Sequence, residues 1–138
     1  MYLVDANVLS EPTKPQPVAA VVDWLRHHEP HLAVNPLILG ELEYGILLLP
    51  PGRRRSRLSK WFSQGIQNIR VLDLDAATAA TWARLLAQLR RKGREMPVKD
   101  SLIAATARQH RLIVATRNTS HYKNAGIQLV NPFSPRRR

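Results

Sequence analysis

Asp5, Glu41 and Asp100 are the acids whose surroundings single them out for chemistry. Asp5 closes the apolar run Tyr2-Leu3-Val4. Asp100 follows Pro97 at the head of a helical stretch. Glu41 lies between Leu37 and Ile38 on one side and Tyr44 and Gly45 on the other, at helical spacing. Burying a charge in such a context is costly unless it is paired or binds metal. Glu43 shares much of that context, and spacing alone does not choose between the two glutamates. Asp5 is also suited to capping a turn, and Asp100 to a helix N-terminus. Hard divalent cations such as Mg²⁺ prefer oxygen ligands and keep waters and substrate phosphates in their shell, so two or three carboxylates suffice. A small acidic centre inside a basic protein fits phosphodiester hydrolysis, with the rim holding phosphate and the centre holding metal.

The basic surplus is large: 21 Lys and Arg against ten acids, a net charge of +11. It falls in three clusters: Arg53, Arg54, Arg55, Arg57 and Lys60; Arg90, Arg91, Lys92 and Arg94; and Arg136, Arg137 and Arg138. Such clusters attract polyanions, pointing to nucleic acid or an acidic protein partner. The chain has no cysteine, which excludes disulfides and thiolate metal sites. His27 and His28 are adjacent and no H-E-x-x-H pattern occurs, so a zinc site is not indicated; neither is a Ser-His-Asp triad or a P-loop. The longest apolar stretch, residues 46–51, is far below the ~20 residues of a membrane-spanning helix. The chain reads as a soluble cytoplasmic protein with no membrane partner.

The elements that must position these acids are short. Apolar strands are expected at residues 3–5, 32–34, 70–72, 112–115 and 127–130, with loop at 11–17. Helices are expected at 7–10, from Pro17 to about 28, from Pro36 to the Pro50-Pro51-Gly52 stop, at 53–66, from an Asp75 cap to about Gly93, and from Pro97 to about 110. Alternating strands and helices in a chain of 138 residues, 44% of them apolar, predict one α/β domain: a short parallel sheet of about five strands flanked by helices on both faces. Ligands of such sheets bind beyond the carboxyl ends of the strands, where Asp5 ends one strand and Thr116 another.

Four segments together resemble the motifs of PIN-domain ribonucleases: Leu3-Val4-Asp5-Ala6-Asn7-Val8-Leu9-Ser10-Glu11, Gly40-Glu41-Leu42-Glu43-Tyr44-Gly45-Ile46, Asp100-Ser101-Leu102-Ile103-Ala104-Ala105-Thr106-Ala107 and Val114-Ala115-Thr116-Arg117-Asn118. Asn131-Pro132-Phe133 is similar to the family's usual ending. The likeness is nearest to VapC-type toxins of bacterial toxin–antitoxin pairs, the FitB-like subgroup in particular. It implies a PIN-like domain over 1–133, with a basic tail at 134–138. It implies a Mg²⁺- or Mn²⁺-dependent endoribonuclease toxin, an RNA substrate, a cognate antitoxin, a homodimer and a higher assembly with the antitoxin. The same resemblance assigns the catalytic metal site to Asp5, Glu41 and Asp100, selecting Glu41 over Glu43, and gives Asn7 and Thr116 the task of organising it by hydrogen bonding. Arg53, Arg54, Arg55, Arg57 and Arg117 are the expected RNA-binding residues. Two positions depart from the family pattern. Ala6 stands where a hydroxyl residue is common, and Asn118 or His121 where a fourth acid is usual, so these two become possible metal ligands. That loss motivates an alternative reading, a PIN-like module that binds nucleic acid and an antitoxin without efficient cleavage. A DNA nuclease or phosphatase-like hydrolase is a further rival.

Overall fold

The computed structural model describes residues 1–66 and 68–134. Five short strands form one all-parallel sheet: β1 (Tyr2–Val4), β2 (Leu32–Val34), β3 (Arg70–Val71), β4 (Ile113–Ala115) and β5 (Leu129–Val130). Their spatial order is β3-β2-β1-β4-β5. The chain builds outward from β1 on one side, then crosses to the other side of β1 for β4 and β5. The order therefore reverses between β1 and β4, which is where an open parallel sheet leaves a crevice at its carboxyl edge. The register there pairs Leu3 with Val114 and Val4 with Ala115, so Asp5 and Thr116 emerge side by side. A backbone bond from Asp5 N–H to Ala115 carbonyl, 2.9 Å, extends the pairing to that rim.

Six α-helices flank the sheet among the described residues: α1 (Ala6–Leu9), α2 (Ala19–His28), α3 (Pro36–Leu47), α4 (Arg53–Lys60), α5 (Ala76–Arg91) and α6 (Val98–His110). The core sits between these layers. Leu3, Val4, Val34, Ile38, Ile103, Ala104 and Val114 are fully buried in it. Asp5 caps α1, its Oδ1 accepting the Ala6 N–H at 2.9 Å. Asp75 caps α5 in a reciprocal pair with Thr78.

Several elements differ from expectation in extent. β2 has the expected bounds, β1 is shifted by one residue so that Asp5 stands just outside it, and β3, β4 and β5 are shorter. The loop at 11–17 opens with a 3₁₀ turn, Glu11–Thr13, whose Glu11 is buried and accepts the Val18 N–H at 2.9 Å. That bond holds a segment of three prolines that lacks a regular ladder. Val18, expected on the buried face of α2, is its uncapped N-terminal boundary and is exposed; Val21 and Leu25 carry the contact. The basic helix expected at 53–66 stops as an α-helix at Lys60 and continues as a π-turn, Trp61–Gly65. The tail at 134–138 lies outside the described residues apart from Ser134.

Asn35 ties together the two helices that carry acids. It is buried; its Oδ1 accepts the Ile38 N–H at 3.0 Å and so caps α3. Its Nδ2 donates to Thr106 Oγ1 on α6 at 3.1 Å. Asn35→Ala removes the cap and the donor to Thr106 Oγ1, which keeps its own bond to the Leu102 carbonyl, and is expected to cost about 2 kcal/mol of stability. Urea unfolding against the parent protein measures it; a loss below a few tenths would show that α3 and α6 are held by apolar packing alone.

Candidate active site

Asp5 and Asp100 meet at one hydroxyl. Asp5 leaves the carboxyl end of β1, and Asp100 lies in the first turn of α6; each residue is 5% exposed. The Tyr122 phenol stands between them, 3.2 Å from Asp5 Oδ2 and 3.3 Å from Asp100 Oδ1. A phenol carries a single proton, so it donates to one carboxylate at a time. Burial, and then the charges of Asp5 and Asp100, push its pKa far above the ordinary tyrosine range. Tyr122 is therefore favoured as the neutral hydroxyl, a donor placed between two buried aspartates.

Asp5 is the better furnished of the two. Its Oδ2 also accepts from the buried Thr116 hydroxyl at 2.9 Å, with the Asn7 amide at 3.4 Å. Asn7 reaches Thr116 Oγ1 at 3.4 Å, and its own Oδ1 accepts the Arg117 N–H at 3.0 Å. Thr116 Oγ1 in turn accepts the Asn118 N–H. Asn7 and Thr116 thus lock Asp5 to the loop that follows β4. Ala6 contributes its backbone N–H to Asp5, and no side-chain donor.

Glu41 approaches from α3. Glu43 is exposed, so the structure separates the two glutamates that spacing left equivalent. Lys99 Nζ lies 2.8 Å from Glu41 Oε2, across from α6 to α3. The other carboxylate oxygen, Oε1, is buried without a hydrogen-bond partner. The hydrogen bond from Lys99 to Glu41 raises the lysine pKa; burial opposes this, and the charges of Glu41, Asp100 and Asp5 add to it. One ammonium therefore senses all three acids. A cleft of about 350 Å³ runs from Ala6 and Asn7 past Glu41 to Lys14, Arg54 and Trp61, placing one arginine of the α4 cluster on the same rim. A larger cleft, about 880 Å³, lies between α2 and β5 near the amino ends of β1 and β4 and contains none of the three acids.

His121 and Asn118 have different situations. His121 Nδ1 lies 3.1 Å from Asp100 Oδ2; a carboxylate only accepts, so Nδ1 carries the proton. Asn118 is exposed, and its side chain makes no capping bond. Arg53, Arg54 and Arg57 are exposed on α4, with Arg55 half-buried. The Arg117 guanidinium stacks over the Phe133 ring, 4.7 Å from its centroid.

The donor set suits a hard cation. Two buried aspartates and a glutamate with a free, buried oxygen are oxygen ligands of the kind Mg²⁺ and Mn²⁺ take. As the side chains stand, no three His, Asp or Glu residues among those described converge on one point. Internal donors link the acids instead: Tyr122 between the aspartates, Lys99 on Glu41. Neither donor was singled out from the sequence. Each directly adjoins a residue that was, Lys99 beside Asp100 and Tyr122 beside His121, and that adjacency was the available signal.

Comparison with known proteins gives consistent results. The model of the PIN domain matches residues 2–127. The chain is 36% identical over 137 residues to toxin FitB of Neisseria gonorrhoeae, covering 96% of this chain and 99% of that one. It is 34% identical over 140 residues to the VapC ribonuclease Y4jK of Sinorhizobium fredii, covering 98% and 99%. The solved structure of FitAB bound to an IR36 DNA fragment superimposes with a TM-score of 0.92 at 33% identity, covering 99% of each chain.

Tyr122→Phe removes only the hydroxyl and leaves Asp5 and Asp100 facing each other without the donor between them. In metal-free buffer it is expected to lower stability by about 1–3 kcal/mol, readable by urea unfolding. A parent-like midpoint would mean the two carboxylates do not depend on that hydroxyl.

Proposed function

The chain belongs to the PIN-domain family, and on that premise we propose that it is a metal-dependent endoribonuclease, the toxin of a type II toxin–antitoxin pair, with Asp5, Glu41 and Asp100 as its metal-holding residues. The observation that carries the reading is the meeting of two buried aspartates, Asp5 and Asp100, on the Tyr122 hydroxyl at the point where strand order reverses, with Glu41 on the adjoining α3 keeping an unpartnered buried oxygen. PIN-domain nucleases use a divalent metal; Mg²⁺ or Mn²⁺ is the ion proposed for this site. Such an ion supplies Lewis acidity towards a phosphate oxygen and activation of an attacking water.

The chain's own residues do the rest. Thr116, Asn7 and the Ala6 N–H fix the orientation of Asp5. Asn35 fixes α3, and with it Glu41, against α6 and Asp100. Arg53, Arg54, Arg55 and Arg57 hold the RNA backbone at the cleft rim, joined by Arg117. His121, whose Nδ1 lies 3.1 Å from Asp100 Oδ2, is one candidate for an added nitrogen ligand; imidazole suits Mn²⁺ better than Mg²⁺. Asn118, exposed and held by its backbone N–H to Thr116 Oγ1, is the other candidate.

The partners follow from the same reading: an RNA substrate and a cognate antitoxin, the relatives including a VapC ribonuclease and FitAB bound to DNA. An acidic antitoxin segment would compete with RNA for the basic rim. Homodimerisation is supported by Tyr44 and Leu47 at the end of α3 and Leu48 just after it, side chains 65%, 57% and 67% exposed. A cytoplasmic location accords with this role; among the described residues no helix is long and apolar enough to cross a membrane.

A second reading, a binding module with little cleavage, is favoured by one observation: His121, one of the two positions where the family's fourth acid is expected, sits against Asp100 as an imidazole, and the other position, Asn118, carries no carboxylate either. Cleavage assays separate the two. Asp5→Asn, Glu41→Gln and Asp100→Asn are each expected to lower RNA cleavage in Mn²⁺ or Mg²⁺ by about a hundredfold or more, with the melting curve still cooperative. Full activity in any one variant removes that residue from the site, and a parent protein inert in both metals establishes the binding module.

RNA affinity is expected to fall steeply with salt, as condensed counterions are released on binding. Replacing Arg53, Arg54, Arg55 and Arg57 together with Gln should flatten the slope of log affinity against log salt by about two to three units. An unchanged slope assigns that cluster to another partner.

A further inference from the structure

Lys99 is in an unusual place for a cation. It lies in the first turn of α6, where the helix dipole disfavours positive charge. It nonetheless extends across to α3 and closes on Glu41 at 2.8 Å, with its side chain 47% exposed. The ammonium takes one oxygen of Glu41 and leaves the other buried and free. Asp100, the next residue, turns the other way, towards Tyr122 and His121. Lys99 therefore bridges the two acid-bearing helices at Glu41, and the second oxygen of that carboxylate stays buried and without a donor. Of the formal charges that Asp5, Glu41 and Asp100 bring, the Lys99 ammonium offsets one, at Glu41. A second ion would need another acid, and the residue on Asp100 is an imidazole that brings no negative charge.

We propose that Lys99 is a resident cation of the site standing in for a second metal ion: it claims one oxygen of Glu41, limits the site to one divalent ion, and turns its exposed ammonium to the phosphate as negative charge grows there. This rests on the assignment of Asp5, Glu41 and Asp100 to a cation. It makes Lys99 both a competitor for Glu41 and a contributor to cleavage, two roles that a single substitution drives in opposite directions. A lysine held only to steady α6 against α3 would not produce that split.

The test is a Mn²⁺ titration of the full chain, with free ion followed by electron paramagnetic resonance, alongside single-turnover RNA cleavage. The parent protein is expected to bind one ion per chain. Lys99→Met should bind Mn²⁺ about tenfold more tightly, because a like charge has left the site. It should cleave about a hundredfold more slowly at saturating Mn²⁺, because a fixed charge facing the transition state has gone. Lys99→Arg, which keeps the charge, should stay within about threefold of the parent in both measurements. Thermal unfolding checks that each variant is folded, and if Lys99→Met does not fold, Lys99→Gln takes its place. Unchanged or weaker Mn²⁺ binding in the neutral variant overturns the proposal, as does tighter binding with full cleavage, or two ions bound by the parent. A parent protein that binds no Mn²⁺, or whose binding survives Asp5→Asn, overturns instead the three-acid assignment beneath it.

Discussion

Gathering negative charge in a partly dry crevice is the constraint around which this molecule is arranged. Two aspartates with almost no exposure cannot face each other bare, because each buried carboxylate needs donors to replace water. The fold brings those donors from four directions. Ala6 offers a backbone N–H, Thr116 a hydroxyl from the end of β4, Tyr122 a phenol from the 3₁₀ turn beyond it, and Lys99 a full charge to the third acid. Most of these contacts cross long stretches of sequence, so the site exists only once the sheet and both acid-bearing helices are in place.

The sheet topology explains why these partners meet. Reversal of strand order around β1 puts the ends of β1 and β4 next to each other, and with them Asp5 and Thr116. Helix α6 precedes β4, so its first turn returns Asp100 to the same edge, and Asn35 fastens α3 to α6 through Thr106. A basic α4 follows α3 directly, which sets Arg54 on the rim of the cleft that Glu41 lines. Acidic centre and basic border are thus neighbours through chain connectivity as well as through charge.

Much of this was legible in the chain. The apolar run before Asp5, the Asn35-Pro36 start of α3 and the Asp75 cap of α5 are local signals, and each matches a structural element. The choice of Glu41 over Glu43 needed the resemblance, because both share one helical context; in the structure it is a matter of which side of α3 faces the crevice. Lys99 and Tyr122 were not legible. Their partners lie 58 residues away in the first case, and 117 and 22 residues away in the second, and no local periodicity encodes such a meeting. Glu11 escaped for a similar reason: a proline-rich stretch reads as surface loop, yet its acid is buried because it alone satisfies the Val18 N–H. The π-turn after Lys60 was hidden because Trp61 and Phe62 continue the apolar face of α4 at helical spacing.

β1 is only three residues long, and side chains along a strand alternate between faces. A slip of one residue against β4 would turn Leu3 and Val4 inside out and swing Asp5 off the rim, away from Thr116 and Tyr122. No partly correct sheet therefore carries a partly correct site. Folding acts as a proofreading step for charge assembly: a chain that has mispaired its central strand is also a chain that has disarmed itself.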